Sequence, residues 1–435
     1  MTVAEVQLWG STIGAVSVER PGEAAAFEYT PQFAASGIEV APLEMPLSRQ
    51  LYHFPGLGEA FHGLPGLLAD SLPDKFGNAV LDAWLATQGR MPQEINAVER
   101  LLYTAARGMG ALEFRPALGP RANESATLEV GALVELANEV LRGREGLRAS
   151  LSDSGKERAL REILRVGTSA GGARAKAVIA WNPATNEVRS GQVRAPEGFG
   201  YWLLKFDGVT GNRDRELADP LGYGAIEYAY SRMAQAAGVH MSECRLFEEG
   251  GRRHFMTRRF DRLASGDKLH MQSLAALAHL DFNLAGAHSY EQALLVARYL
   301  SLPMASLEEL FRRMCFNVVA RNQDDHVKNI AFLMDRRGRW SLAPAFDLTY
   351  SFNPDGAWTS RHQMTLHGKR DGFELEDFRA VARSASLPRG FERRTLEEVT
   401  AAVARWPEFA SAAGVAPAQV TAIAAAHRLG LCKGR

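Results

Sequence analysis

Cysteine is scarce: Cys244, Cys315 and Cys432 are far apart, odd in number and without a CxxC pair. That excludes a disulfide framework or a zinc–cysteine site and fits a reducing cytosol. Net charge is also missing, because 50 Lys and Arg are balanced by 50 Asp and Glu. No global field draws such a chain to nucleic acid or an anionic membrane, so any DNA contact needs a local basic patch or a partner. No apolar run approaches the roughly 18 residues of a membrane span. The opening MTVAEVQLWG lacks the basic and apolar regions of a signal peptide. Internal repeats and low-complexity runs are absent too. The expectation is a cytoplasmic protein with no membrane contact.

What is present is ordinary globular material. The 435 residues are 46% hydrophobic and 23% charged, enough for two or three domains with sizeable cores. Residues 1–118 read as a separate α/β piece. VQLWGSTIGAVSVE alternates and breaks at Gly10 as a hairpin does, a helix runs from Phe76 to Leu85 and ends near Gly89, and residues 108–118 make a closing strand. Residues 119–271 hold a loop, an amphipathic helix (VGALVELANEVLRG), a short helix expected at 152–162, two strongly β-like segments and the helix IEYAYSRMAQAAGV. A strand–turn–strand follows around Gly250-Gly251. From 272 to 435 the pattern turns helical. A β-rich half with an extra N-terminal subdomain therefore precedes an all-helical lobe, an α+β, two-lobed arrangement.

Chemistry-bearing residues concentrate between Phe316 and Phe352. Asn322, Asp324, Asp325, His326, Lys328 and Asn329 crowd one loop; two short strands follow, and Asp347 arrives after an apolar pair. Protein kinases place a catalytic base and two magnesium ligands this way. Asp324 precedes Asn329 by the D-x-x-x-x-N spacing, and Asp347 stands where the DFG Asp would. Asp324 is the candidate base, Asn329 and Asp347 the candidate ligands of a hard cation, and Lys328 a group that neutralises charge on the transferred phosphoryl. His326 is expected to brace the loop. For Asp325 and His326, site and scaffold both stay open.

Upstream groups stand in kinase order. The loop Ser169-Ala170-Gly171-Gly172-Ala173-Arg174-Ala175-Lys176 can cradle phosphates through backbone N–H groups, or be a plain tight turn. Lys205 sits inside the apolar strand YWLLKFDG, costly unless it finds a partner, and Glu227 on the following helix is the natural one. Arg258, Arg259, Phe260 and Asp261 end a strand where a hinge would take adenine; a solvated charge run is the plainer alternative. A metal-dependent phosphoesterase using Asp324, Asp325 and His326 is a competing enzyme class, but the other histidines are scattered. A non-catalytic nucleotide-binding partner in a repressor complex is the other competitor.

Together SAGGARAK, LLKFDG, IEYAYSRMAQAAGV, RRFDR, NQDDHVKN and FDLTYSF resemble the HipA family of bacterial serine/threonine kinases, toxins of type II toxin–antitoxin systems. VQLWGSTIGAVS, LADSLPDKFG and GMGALEFRP are similar to that family's N-terminal subdomain. The resemblance implies ATP and Mg2+ as cofactors and a two-lobed, protein-kinase-like fold of HipA type. It implies Asp324 as the catalytic Asp, Asn329 and Asp347 as metal ligands, and Lys205 on the ATP phosphates. Arg258 to Phe260 become the adenine hinge, and Ser169 the site of autophosphorylation. It also implies a protein substrate such as an aminoacyl-tRNA synthetase, and a HipB-type DNA-binding antitoxin through which alone DNA is reached. Arg174-Ala175 stands where better-known members carry Gln-Glu.

Overall fold

The structure is a computed structural model that describes residues 1–119, 128–142, 163, 164, 166, 174–209 and 222–432. The glycine-loop residues Ser169, Ala170, Gly171, Gly172 and Ala173 lie outside them, as does the helix expected at 152–162.

The first sheet is antiparallel, in the order β4-β3-β2-β1-β5. It comprises β1 (Thr2–Leu8), β2 (Ser11–Val18), β3 (Ala26–Tyr29), β4 (Tyr52–His53) and β5 (Leu112–Arg115). Alternation decides its faces: Ala4, Val6 and Leu8 point inward, and Val3 is exposed. Trp9 and Gly10 join β1 to β2, both with positive φ (52° and 84°). Two such residues match the right-handed twist of the flanking strands.

The second sheet is built from β6 (Lys176–Trp181), β7 (Val188–Ser190), β8 (Gly200–Lys205), β9 (Cys244–Glu249) and β10 (Arg252–Arg258). Its order is β7-β6-β8-β10-β9, and β6, paired on both sides, is buried throughout. Helix Tyr223–Ala236 packs on β9 and β10. It approaches closely because Gly224 has no Cβ; one would sit 2.5 Å from the Arg253 carbonyl.

The helical half carries two small sheets. One, in the order β11-β13-β14, joins β11 (His270–Ser273) to the hairpin β13 (Ala331–Met334) and β14 (Trp340–Leu342). The other pairs β12 (His288–Ser289) with β15 (Met364–Thr365). Helices Met304–Val319 and Phe391–Ala404 pack on each other, and the helix Trp406–Ala412 closes against Tyr223–Ala236. No helix of the described residues is long and apolar enough to cross a membrane.

Among the described residues three large apolar cores and one small cluster around Ala331, Leu333 and Ala343 result, and the large ones do not follow a cut at residue 118. The first sheet encloses one. Helix Lys75–Thr87 sends Phe76, Val80, Trp84 and Leu85 into the core of the second sheet, beside Ile179, Trp202 and Leu204. Helix Tyr223–Ala236 joins the core of the C-terminal helices. Each lobe thus borrows an element from its neighbour in sequence, and the site lies where these borrowings meet.

Candidate active site

Lys205 ends β8 between two carboxylates. Its Nζ lies 2.5 Å from Glu227 Oε1 and 2.5 Å from Asp347 Oδ1. Burial alone would push the ammonium down, but the charges of Asp347 and Glu227 outweigh it and raise its pKa. Asp347 is half-buried and desolvation opposes its ionisation, yet Lys205 holds its carboxyl well below the usual range. Glu227 is 1% exposed, and for it burial wins and the pKa rises. Asp347 adopts φ 57°. A non-glycine residue in the left-handed region costs roughly 1–3 kcal/mol and persists only where its surroundings impose it.

Arg174, just past the glycine loop, also belongs here. Its guanidinium lies 3.4 Å from the centroid of the Tyr223 ring and 3.6 Å from Glu227 Oε2. The residue that departs from better-known family members thus shares Glu227 with Lys205. Tyr223 in turn donates to the Tyr350 carbonyl (2.6 Å), tying the helix that carries Glu227 to the segment after Asp347. Lys176 faces Lys205 across the β6–β8 register, but its ammonium turns to Asp74 at 3.3 Å.

The second half of the site is the loop 321–330. Helix Met304–Val319 stops at Ala320, and Arg321 (φ 58°) turns the chain out. The Gln323 N–H donates to the Ser351 carbonyl (3.1 Å), so the loop runs beside the segment after Asp347. Asp324 is half-buried, and its Oδ1 accepts from the indole N–H of Trp358 at 2.6 Å. Asn329 donates its amide Nδ2 to the Asp324 carbonyl at 2.9 Å. The side-chain oxygen of Asn329 is then its remaining acceptor, the atom type that Mg2+ takes. Asn329 lines a small cavity with Phe346 and Leu348, the neighbours of Asp347. The structure therefore brings Lys205, Glu227 and Asp347 into one cluster and sets the Asp324–Asn329 loop beside it.

Asp325 is engaged otherwise. Its two oxygens accept from Tyr290 Oη (2.6 Å), His362 Nδ1 (2.7 Å) and the Gln363 N–H (2.7 Å). Burial opposes its charge, but these donors and His362 hold its carboxyl below the usual value. This carboxylate braces the loop. His326 lies 3.9 Å from Asp324 Oδ1 with its ring against Phe282, and the Lys328 ammonium sits 4.9 Å from the centroid of the same ring.

The tract at the end of β10 divides. Arg258 is exposed, 3.7 Å from Glu243. Arg259 and Asp261 are buried and paired at 2.7 Å, with Arg262 at 2.7 Å from the same carboxylate. Asp261 also accepts from the Gly110 N–H (2.7 Å), so these side chains grip the loop before β5. A solvated charge run is not what the sequence folds into here. Phe260 is half-buried with its ring 5.6 Å from Phe346, next to Asp347.

Asp74, Tyr290, Trp358 and His362 were missed in the sequence. Each acts through a contact remote in the chain, and none stands in a motif that signals it.

A family model for the HipA-like C-terminal domain matches residues 168–406, and one for the HipA N-terminal domain matches residues 4–115. No curated protein sequence matches the chain. Among solved structures, the chain is similar to HipA of Shewanella oneidensis MR-1, seen in a toxin–antitoxin complex with HipB and operator DNA. The TM-score is 0.68 at 16% identity, over 99% of this chain and 96% of that one. A second likeness, to the Helicobacter pylori proinflammatory kinase CtkA, has a TM-score of 0.34 at 9% identity, over 60% of this chain and 91% of that one. The chain belongs to the HipA family and has the two-lobed, protein-kinase-like fold of that type.

Proposed function

We propose that the protein is an ATP- and Mg2+-dependent serine/threonine protein kinase that acts in the cytoplasm as a growth-arresting toxin. The observation that carries this reading is Lys205 held at 2.5 Å from both Glu227 and Asp347, beside a loop that presents Asp324 and Asn329. A lysine fixed in this way by a helix carboxylate is pre-organised for the α- and β-phosphates of ATP. Asn329 and Asp347 would hold Mg2+, and the donor set fits: an amide oxygen and an ionised carboxylate. When bound, the metal neutralises charge on the phosphates. Asp324 orients the acceptor hydroxyl and takes its proton. Residues 258–260 would form the adenine hinge; the N–H groups of Arg258 and Arg259 already donate to the Glu243 and Tyr201 carbonyls, which leaves the Phe260 backbone to meet the base.

Family membership supports a HipB-type antitoxin as partner, with DNA reached only through it. It also supports a protein target of the aminoacyl-tRNA synthetase class and self-modification at Ser169. The phosphoesterase reading loses Asp325, whose oxygens are taken by Tyr290, His362 and Gln363.

The test is transfer of ³²P from ATP with Mg2+. Wild type should label protein, Asp324→Asn should not, and Ser169→Ala should lose the self-label. A wild type that binds nucleotide but transfers nothing sinks the kinase reading and leaves the non-catalytic repressor partner.

A further inference from the structure

Three consecutive residues of the candidate catalytic loop are tied to one segment, 358–363. Gln323 donates its side-chain N–H to the Thr359 carbonyl at 3.0 Å. Trp358 donates its indole N–H to Asp324 at 2.6 Å. Asp325 accepts from His362 and Gln363, both at 2.7 Å. Gln363 closes the clamp by donating to the Trp358 carbonyl at 2.6 Å. Gln323, Asp325, Thr359, His362 and Gln363 are all buried. Asp324 and Trp358 are half-buried, so this is the one of these ties that reaches solvent.

Trp358 belongs to none of the apolar cores of the described residues. A half-buried indole finds a partner for its N–H, and here that partner is the Asp324 carboxylate. Indole is a donor only, so Trp358 cannot take a proton. It can hold Oδ1 of Asp324 and thereby fix the side chain's rotation, which leaves Oδ2 to face the acceptor.

We propose that Trp358 is a positioning residue for phosphoryl transfer, setting the rotamer of Asp324 through its N–H. This rests on the reading of Asp324 as the proton acceptor. In the step it supports, the acceptor oxygen forms a bond to the γ-phosphorus while the bond from that phosphorus to the bridging oxygen of ADP breaks. ADP leaves with the electron pair, and the hydroxyl proton passes to Asp324.

The experiment compares Trp358→Phe, which keeps a ring but loses the donor, with Trp358→His, which keeps an N–H. The acceptor is a mixed serine-peptide library at saturating Mg2+ and ATP. Misplaced reacting groups cost up to about 100-fold, so Trp358→Phe should lower kcat roughly 10- to 100-fold. Its affinity for a fluorescent ADP analogue and its thermal midpoint should stay at wild-type values, and Trp358→His should recover part of kcat. Wild-type kcat in Trp358→Phe overturns the proposal. So does an equal loss in both variants, or a loss of kcat that comes with a lowered midpoint and weaker nucleotide binding. Asp324→Asn separates the layers. If it is dead while Trp358→Phe is normal, only the positioning role fails; if it remains active, the reading of Asp324 fails and takes the proposal with it.

Discussion

Asp74 and Lys176 form a buried ion pair, 3.3 Å apart, between the N-terminal piece and strand β6 of the second sheet. The same carboxylate caps helix Lys75–Thr87 by accepting from the Gly77 N–H at 2.6 Å. Lys176 and Lys205 are register partners, so two lysines leave neighbouring strands side by side and their ammonium groups turn to different carboxylates. Asp74 answers one as Glu227 and Asp347 answer the other. Burial nonetheless pushes Lys176 below the ordinary lysine value.

Removing one partner of a buried pair costs about 3–5 kcal/mol, because the other is left desolvated and uncompensated. Asp74→Ala should therefore destabilise the chain by roughly that amount in urea unfolding. Lys176→Met on the same background should recover much of the loss. A double variant no better than Asp74→Ala would place the cost in the lost helix cap instead.

Asp347 should couple nucleotide to metal. In Asp347→Asn the charge that would hold Mg2+ is gone. Titration with a fluorescent ADP analogue should show binding tightened by Mg2+ in wild type and nearly insensitive to it in the variant. A loss of about tenfold, or 1.4 kcal/mol, in Mg2+-dependent affinity is expected.

Stability should fall between neutral and mildly acidic pH. His270 is fully buried, and burial pushes its pKa from 6.5 to about 4. The unfolded chain binds a proton below 6.5 that the folded chain refuses until about 4, so stability is lost as pH falls through that window. His270 alone is worth roughly 3 kcal/mol, and His254, His279 and His427 shift the same way. Urea midpoints at pH 7 and 4.5 measure the slope, and His270→Asn should flatten it.

Gly110→Ala should damage the contact between the N-terminal piece and β11. Gly110 has φ 75°, and an added Cβ would sit 2.9 Å from the Met271 nitrogen. Strained φ and a backbone clash together predict a loss of roughly 2 kcal/mol or more. A lowered thermal midpoint checks it.

Local pattern made a good deal of this legible. Alternation and Gly10 marked the first hairpin, and periodicity from Phe76 marked the helix that runs from Lys75 to Thr87. A lysine in an apolar strand demanded a carboxylate, and the following helix offered Glu227. The D-x-x-x-x-N spacing separated Asp324 from Asp325. Partners that meet only through folding were not legible. Nothing around Asp74 signals Lys176, and NPDGAWTS reads as a plain loop although its Trp358 reaches Asp324. β11 was lost because four residues, His270–Ser273, are too few to show a period. A solvated run stays open as an alternative for Arg258–Arg262 because sequence shows charge but not the loop that buries Arg259 and Asp261.

Helix Lys75–Thr87 also has a consequence for how the chain is made. Synthesis runs from the N-terminus, and domains complete themselves as they emerge. Phe76, Val80 and Trp84 leave the ribosome well before Ile179, Trp202 and Leu204, the side chains they will pack against. Helix Val130–Arg142 emerges in between and packs on helix Lys75–Thr87, whose cover is completed only when the second sheet arrives. The first sheet, whose strands all lie within residues 2–115, can close in the meantime and hold the helix ready. The N-terminal piece then serves as a folding platform, and the lobe that carries Lys205 is completed on it.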